Sequence, residues 1–263
     1  MIQANSETHM AKQKSIIKLE GTIGDISFYK SKDGYLARER GGITAERIAT
    51  DPKFQRTREN GAEFGRAGKA GKLLRTALKQ VIQNTADGRM TSRLAKEMVR
   101  VIKADLVSER GLRNVLDGEL ELLTGFDFNE QGKLSTTIFA PYSATIDRVS
   151  GLLSIEFPPF DPAIGILAVP NATHFRLKAA GAMIDFEKET YITASSTSDA
   201  LPVKEPIGDP VQLSCQLEEN SGQPLFLVLG IEFVQIVNGR EYLLTNGAYN
   251  GLCLVKISGI SNS

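Results

Sequence analysis

The stretch EFGRAGKAGKLLRTALK, residues 63–79, separates two folds. Its three glycines stand three residues apart and two are followed by lysine, as in a loop that cradles phosphate. A P-loop, however, needs four residues between its first Gly and the Gly-Lys, then Ser or Thr, with a strand leading in. Counted from Gly65, the gap here holds five residues, Leu73 follows Lys72, and the preceding sequence is polar. The nucleotide-loop reading fails on all three counts, and the stretch predicts a helix.

At about 100° per residue, Ala67, Ala70, Leu74, Ala77, Leu78 and Val81 fall in an arc of about 100°, a face to be buried. Lys69, Lys72, Arg75 and Lys79 occupy a separate basic arc of about 120°. Gly65 and Gly68 project within the basic arc, Gly71 lies at its border with the apolar one, and Arg66 is counted with them as a candidate contact residue. Each glycine costs a helix interior about 1 kcal/mol relative to Ala, so three cost about 3 kcal/mol. A patch without side chains permits close approach by another backbone, by another molecule or by a phosphate. The alternative is a weak first turn that is tolerated, with a solvated basic face.

Upstream, IIKLEGTIGDISFYKSKDGYLARERGG alternates apolar and polar residues, and Asp33-Gly34 signals a hairpin turn. Strands are predicted over 16–20, 25–31 and 35–40. Here Lys30, Lys32, Arg38 and Arg40 interleave with Phe28, Tyr29 and Tyr35, a composition that suits stacking and phosphate neutralisation but is also ordinary for a two-faced strand. In TDPKFQRTREN, Asp51 caps a helix with Pro52 at its first position, and Asn60-Gly61 kinks or breaks it. Further helices are predicted over 91–106, with Leu94, Met98, Val101 and Ile102 as its apolar stripe and Thr91 or Ser92 as cap, and over 112–124.

After Gly125 the sequence turns to short β-branched runs split by Pro, Gly, Asn and Asp. Strand candidates are THFRLKAAGAMIDF, ETYITAS, PVQLSCQL, PLFLVLGIEFVQIV, REYLLT and NGLCLVKI, with Asn238-Gly239 as a hairpin turn. The predicted fold class is α+β: an N-terminal β-hairpin plus helices, followed by a mainly antiparallel, immunoglobulin-like β-sandwich. Predicted boundaries are a tail over 1–15, a basic hairpin-plus-helices domain over 16–128 and an acidic sandwich domain over 129–263. Met10 serves equally well as the start of the chain.

The formal net charge is zero but unevenly spread. Residues 11–110 carry 22 Lys and Arg against 12 Asp and Glu, residues 111–263 carry 9 against 18, and Glu7 is the remaining acid. Such asymmetry points to a polyanion partner for the basic part or to pairing of the two parts, within or between chains; two merely solvated surfaces are the bland alternative.

The most apolar run contains Glu232 and is too short for the roughly 20 residues of a membrane-spanning helix, so no membrane insertion is expected. The N-terminal residues lack a signal-peptide pattern, which makes a cytoplasmic location the expectation, with a virion-associated one open. Cys215 and Cys253 read as small core residues, a bridge between adjacent strands being the minor alternative. His9 and His174 lack a nucleophile context, and the pairs Glu119 with Glu121 and Asp185 with Glu187 read as solvated carboxylates. No catalytic residue, cofactor site, metal site or small-molecule substrate is expected.

The run KLEGTIGDISFYKSKDGYLARERGG, followed by DPKFQRTRENGAEFGRAGKAGKLLR, resembles a family of uncharacterised proteins from Bacteroidota, most strongly in the N-terminal third. The resemblance implies a bacterial or phage-associated origin and brings no activity. The expected function is that of a non-enzymatic structural or assembly protein, a homo-oligomer or larger assembly held by complementary basic and acidic surfaces. Binding of nucleic acid or another polyanion by Lys30, Lys32, Arg38, Arg40 and the 65–79 helix face is the alternative.

Overall fold

A computed structural model describes residues 10–14, 16–39, 43–85 and 87–259. The chain divides into two compact units, Met1–Arg58 and Glu59–Ser263.

The first unit holds strands β1 (Met10–Lys12), β2 (Gly21–Ile23), β3 (Ile26–Ser31) and β4 (Gly34–Glu39), antiparallel in the order β1–β4–β3–β2. Ser31 pairs with Gly34, so the two-residue turn is Lys32-Asp33, one residue before the predicted position, and Gly34 opens β4 with φ +109°. Part of the predicted tail is therefore a strand, while 16–20 is not. Its backbone is engaged by the Gln13 side chain, which accepts from Leu19 N (2.9 Å) and donates to the carbonyl of Leu36 (2.9 Å). Arg40 lies outside the described residues. Helix α1 (Ala45–Thr50) follows, capped by Thr44, and Asp51 caps a single 3-10 turn, Pro52–Phe54.

Helix α2 (Gln55–Ala77) runs through Asn60-Gly61 without the predicted break. Glycine weakens a helix without forbidding it, and burial of the Ala67, Ala70, Leu74 face supplies the compensation. The short α3 (Lys79–Ile82) and α4 (Met90–Lys103) come next. The cap predicted at Thr91 or Ser92 is not formed, since Arg89 stands at that position without a side-chain bond. The predicted 112–124 helix is also absent. Asn114 Oδ1 accepts from Leu116 N (2.8 Å) and Asp117 N (3.0 Å), offering the backbone a local alternative to helix. A Cβ on Gly118 would stand 2.4 Å from Val101 O, and beyond this close approach the chain forms the 3-10 turn Leu120–Leu123.

The remaining elements are α5 (Leu134–Thr137), β5 (Ser143–Asp147), β6 (Leu152–Phe157), α6 (Pro162–Gly165), β7 (His174–Asp185), β8 (Thr190–Thr197), β9 (Leu201–Pro202), β10 (Val211–Gln216), β11 (Leu225–Val237), β12 (Arg240–Leu243) and β13 (Gly251–Ser258). They form a three-stranded sheet, β10–β6–β5, and a six-stranded sheet, β12–β11–β7–β8, in which β13 also pairs with β11 and β9 with β7. All these pairings are antiparallel. The turn predicted at Asn238-Gly239 joins β11 to β12, both residues having positive φ (51° and 73°).

Side chains alternate between the faces of a strand. Phe175, Leu177, Ala179, Leu225, Leu227, Leu229, Ile231 and Phe233 point to the small sheet and pack with Leu153, Ile155, Phe157, Leu213 and Cys215. Ala180, Ala182, Ile184, Phe226, Val228, Leu252 and Leu254 point the other way, onto Ala67, Leu74, Leu78, Leu94, Met98 and Ile102 of the helices. The second unit therefore has three layers, helices, large sheet and small sheet. The expected boundary near Asn129 falls inside this unit, Glu59–Ser263. The apolar faces of α2 and α4 are covered by the sheet itself, so helices and sandwich-like layers share one unit. The sheets approach closely at Gly181, whose missing Cβ would lie 3.0 Å from Leu153 and 3.2 Å from Cys215, so a larger residue there would require those side chains to shift. Cys215 and Cys253 are free thiols, so the bridge considered for them is not formed.

Candidate interaction surfaces

The first surface is the N-terminal sheet. Its register puts Ile23, Ile26, Phe28, Lys30, Tyr35 and Ala37 on one face, and Thr22, Ser27, Tyr29, Leu36 and Arg38 on the other. None of the residues 11–58 whose burial is described is buried, and Ile23 and Ile26 are 63% and 45% exposed. Cations lie over its aromatics: Lys30 Nζ stands 5.6 Å and Lys18 Nζ 5.8 Å from the Tyr35 ring centre, and the Arg38 guanidinium 5.6 Å from that of Tyr29. Lys30, Lys32 and Arg38 are exposed on this sheet and its turn.

The second surface is the outer side of α2. Lys69, Lys72 and Lys79 are exposed, Arg66 and Arg75 half-buried, and Lys79 belongs to α3 rather than to α2. Lys69, Lys72, Arg75 and Lys79 form no ion pair among the described residues. Gly65 and Gly68 are exposed, and apart from the adjacent backbone of the helix itself no heavy atom lies within 4 Å of where a Cβ would stand on either. Gly71 differs, since its Cβ would meet Leu94 and Met98 at 3.6–3.8 Å, an ordinary contact. Arg66 is used within the fold: Nε donates to the carbonyl of Arg113 (2.6 Å) and Nη2 to that of Gly111. That bond pair, with Glu63 Oε1 accepting from Gly111 N (2.8 Å), ties the 105–114 loop to α2. Lys69, Arg66 and Leu73 also line a cleft with Val115, Phe186 and Glu187, a site that required the β7–β8 turn to be placed beside the helix and had no local sequence signal.

Ion pairing leaves the charge asymmetry largely at the surface. Arg93–Glu130 (3.5 Å) joins the basic segment to the acidic one. Arg47–Asp51, Arg100–Glu97, Arg110–Glu59, Arg176–Glu241, Lys178–Glu232 and Lys188–Asp185 each stay within their own segment.

Three groups of titratable residues have structural partners. Burial raises the Asp87 carboxyl, but bonds from Glu130 N, Arg89 N and the Arg93 guanidinium outweigh it and hold the group below its ordinary value. Burial raises Asp127 despite a bond from Leu134 N (2.9 Å), and burial together with the neighbouring Asp127 pushes up the Cys253 thiol. That direction opposes thiolate formation, which a nucleophile needs. Glu119 is raised by its hydrogen bond with Glu121, whose Oε1 accepts from Gly259 N (2.7 Å). His174 Nδ1 lies 2.9 Å from Thr173 Oγ1. No cluster of three metal-ligating side chains occurs among the described residues, and no described helix is long and apolar enough to cross a membrane.

Comparison with protein-family models, with curated proteins and with solved structures produced no match.

Proposed function

We propose that this chain is a non-enzymatic structural or assembly protein that docks onto copies of itself, with the N-terminal sheet as the docking element. The observation that carries this reading is the sheet β1–β4, in which none of the residues whose burial is described is buried. A sheet gains stability by covering an apolar face, and a few strands wet on both faces are marginal in water. Ile23, Ile26, Phe28 and Tyr35 supply a face that a partner would cover. The charge distribution supports a second copy as that partner, since residues 111–263 carry twice as many acids as bases, 18 against 9. A basic surface of one copy meeting an acidic surface of the next is a head-to-tail contact, which closes into a ring or continues as a filament.

The test is light scattering on a size-exclusion column at low and high salt, for the natural chain and for Ile26→Glu with Phe28→Glu. Both positions lie outside any core, so the variant should keep its folding transition and lose the larger species. A strict monomer at high concentration and low salt overturns the proposal.

The cation-over-aromatic pairs on the sheet and the exposed Lys69, Lys72 and Lys79 favour a second reading, binding of a single-stranded nucleic acid or another polyanion. It requires affinity that falls steeply with salt and with Lys69→Glu, Lys72→Glu and Lys79→Glu.

A further inference from the structure

We infer that the cleft formed by α2, the 114–117 loop and the β7–β8 turn binds a short dipolar peptide, its carboxylate at Arg66 and its amine at Glu187 and Glu189. The cleft holds about 560 Å³, within the roughly 300–1,000 Å³ of small-ligand sites. Arg66, Lys69, Ala70 and Leu73 stand at i, i+3, i+4 and i+7 along α2 and so share one helix face, which forms one wall. Buried Val115 with half-buried Leu73, Leu116 and Phe186 gives the lining an apolar part, and Asp117, Glu187 and Glu189 give it carboxylates. Cations on one element, acids on two others and an apolar stretch among them suit a molecule charged at both ends with an apolar body.

The Arg66 guanidinium, the Phe186 ring and the backbone of the β7–β8 turn are held in place before any ligand arrives. The carbonyls of Arg113 and Gly111 take two of the five N–H donors of the Arg66 guanidinium and orient its plane, leaving the others for a carboxylate, which a guanidinium meets in a planar two-point contact. Phe186 packs edge-on against Phe226, with ring centres 6.2 Å apart. Asp185 Oδ1 accepts from Glu187 N (3.0 Å) and Lys188 N (2.9 Å), which folds the turn, and Glu189 completes it at φ 55°. Glu187 and Glu189 have no ion-pair partner among the described residues. Two carboxylates on a fixed turn attract an ammonium group without the entropy cost of ordering the loop. The whole cleft lies within Glu59–Ser263, so its test is independent of assembly through the N-terminal sheet.

The test uses the full chain, labelled with ¹⁵N and titrated with the peptide Leu-Phe-Leu bearing free ends, with its N-acetylated form and with its C-amidated form. Saturable amide shifts at Leu73, Asn114, Leu116 and Phe186 are expected with the free peptide. Either blocked form should bind about tenfold more weakly, the loss that follows from removing one charge-assisted contact. Glu187→Gln with Glu189→Gln should abolish the difference between free and acetylated peptide while retaining the penalty for amidation, a pattern that general loss of structure does not produce. No shifts at millimolar peptide, shifts elsewhere, or equal binding of all three forms overturns the inference.

Discussion

Gly65→Ala and Gly68→Ala should each make the protein more stable. Both glycines lie inside α2, both are exposed, neither has positive φ, and a Cβ on either meets nothing within 4 Å apart from the adjacent backbone of the helix itself. The change therefore adds no clash. It reduces the conformational freedom of the unfolded chain and restores helix propensity, about 0.5–1 kcal/mol for each residue. The sites lie one turn apart without a shared partner, so the double variant should gain about 1–2 kcal/mol. Urea unfolding followed by far-UV circular dichroism measures this as a higher midpoint at unchanged slope. Gly118→Ala is the contrasting control. Its Cβ would fall 2.4 Å from Val101 O, so a loss of about 1–3 kcal/mol or more is expected. A double variant no more stable than the natural chain would refute the reasoning, because it would mean that the glycine face is not open in the isolated molecule. A more stable double variant that assembles less well would instead assign the glycines to close approach by a partner.

Arg148 donates to the carbonyls of Ser221, Gln223, Ser258 and Gly259 and to Ser258 Oγ, joining the β5–β6 turn to the end of β13. Arg148→Ala should cost roughly 2–4 kcal/mol in chemical unfolding, and Arg148→Lys should not restore it, since an ammonium lacks the planar fork. Leu94→Ala, at a fully buried position between helix and sheet, should cost about 2–5 kcal/mol by the same measurement. Burial raises the Asp127 carboxyl, so the folded state holds that proton more tightly than the unfolded state does. The resulting stability is present below the ordinary carboxyl value of about 4 and is lost as pH rises through the folded value. Asp127→Asn suffers no such loss and should gain on the natural chain between pH 3.5 and pH 7, whereas a pH-independent offset would contradict the assignment.

The sequence made α2 and α4 legible because their apolar residues recur at helical spacing, and each of Ala67, Leu74, Leu94, Met98 and Ile102 is buried. The strands of the C-terminal part were legible from β-branched runs and from Asn238-Gly239. The boundaries at 16–20, 60–61 and 112–124 were not, for three different reasons. A glutamine side chain engages the first backbone, tertiary burial outweighs glycine in the second, and an Asx turn with a close carbonyl approach occupies the third. Of the candidate surface, the basic residues of α2 were readable from their angular spacing, while Glu187 and Phe186 joined them only through packing.

By itself, the sequence determined the α+β class, the antiparallel strands, the basic face of α2 and the uneven charge, because each rests on local periodicity or on composition. Only the tertiary structure decided that helices and sheets share one unit. The strand β11 is apolar at nearly every position from Leu225 to Val234, so alternation along it cannot tell one covered face from two. That answer depends on which distant segments lie against it: Leu153 and Cys215 against one face, Leu74 and Leu94 against the other.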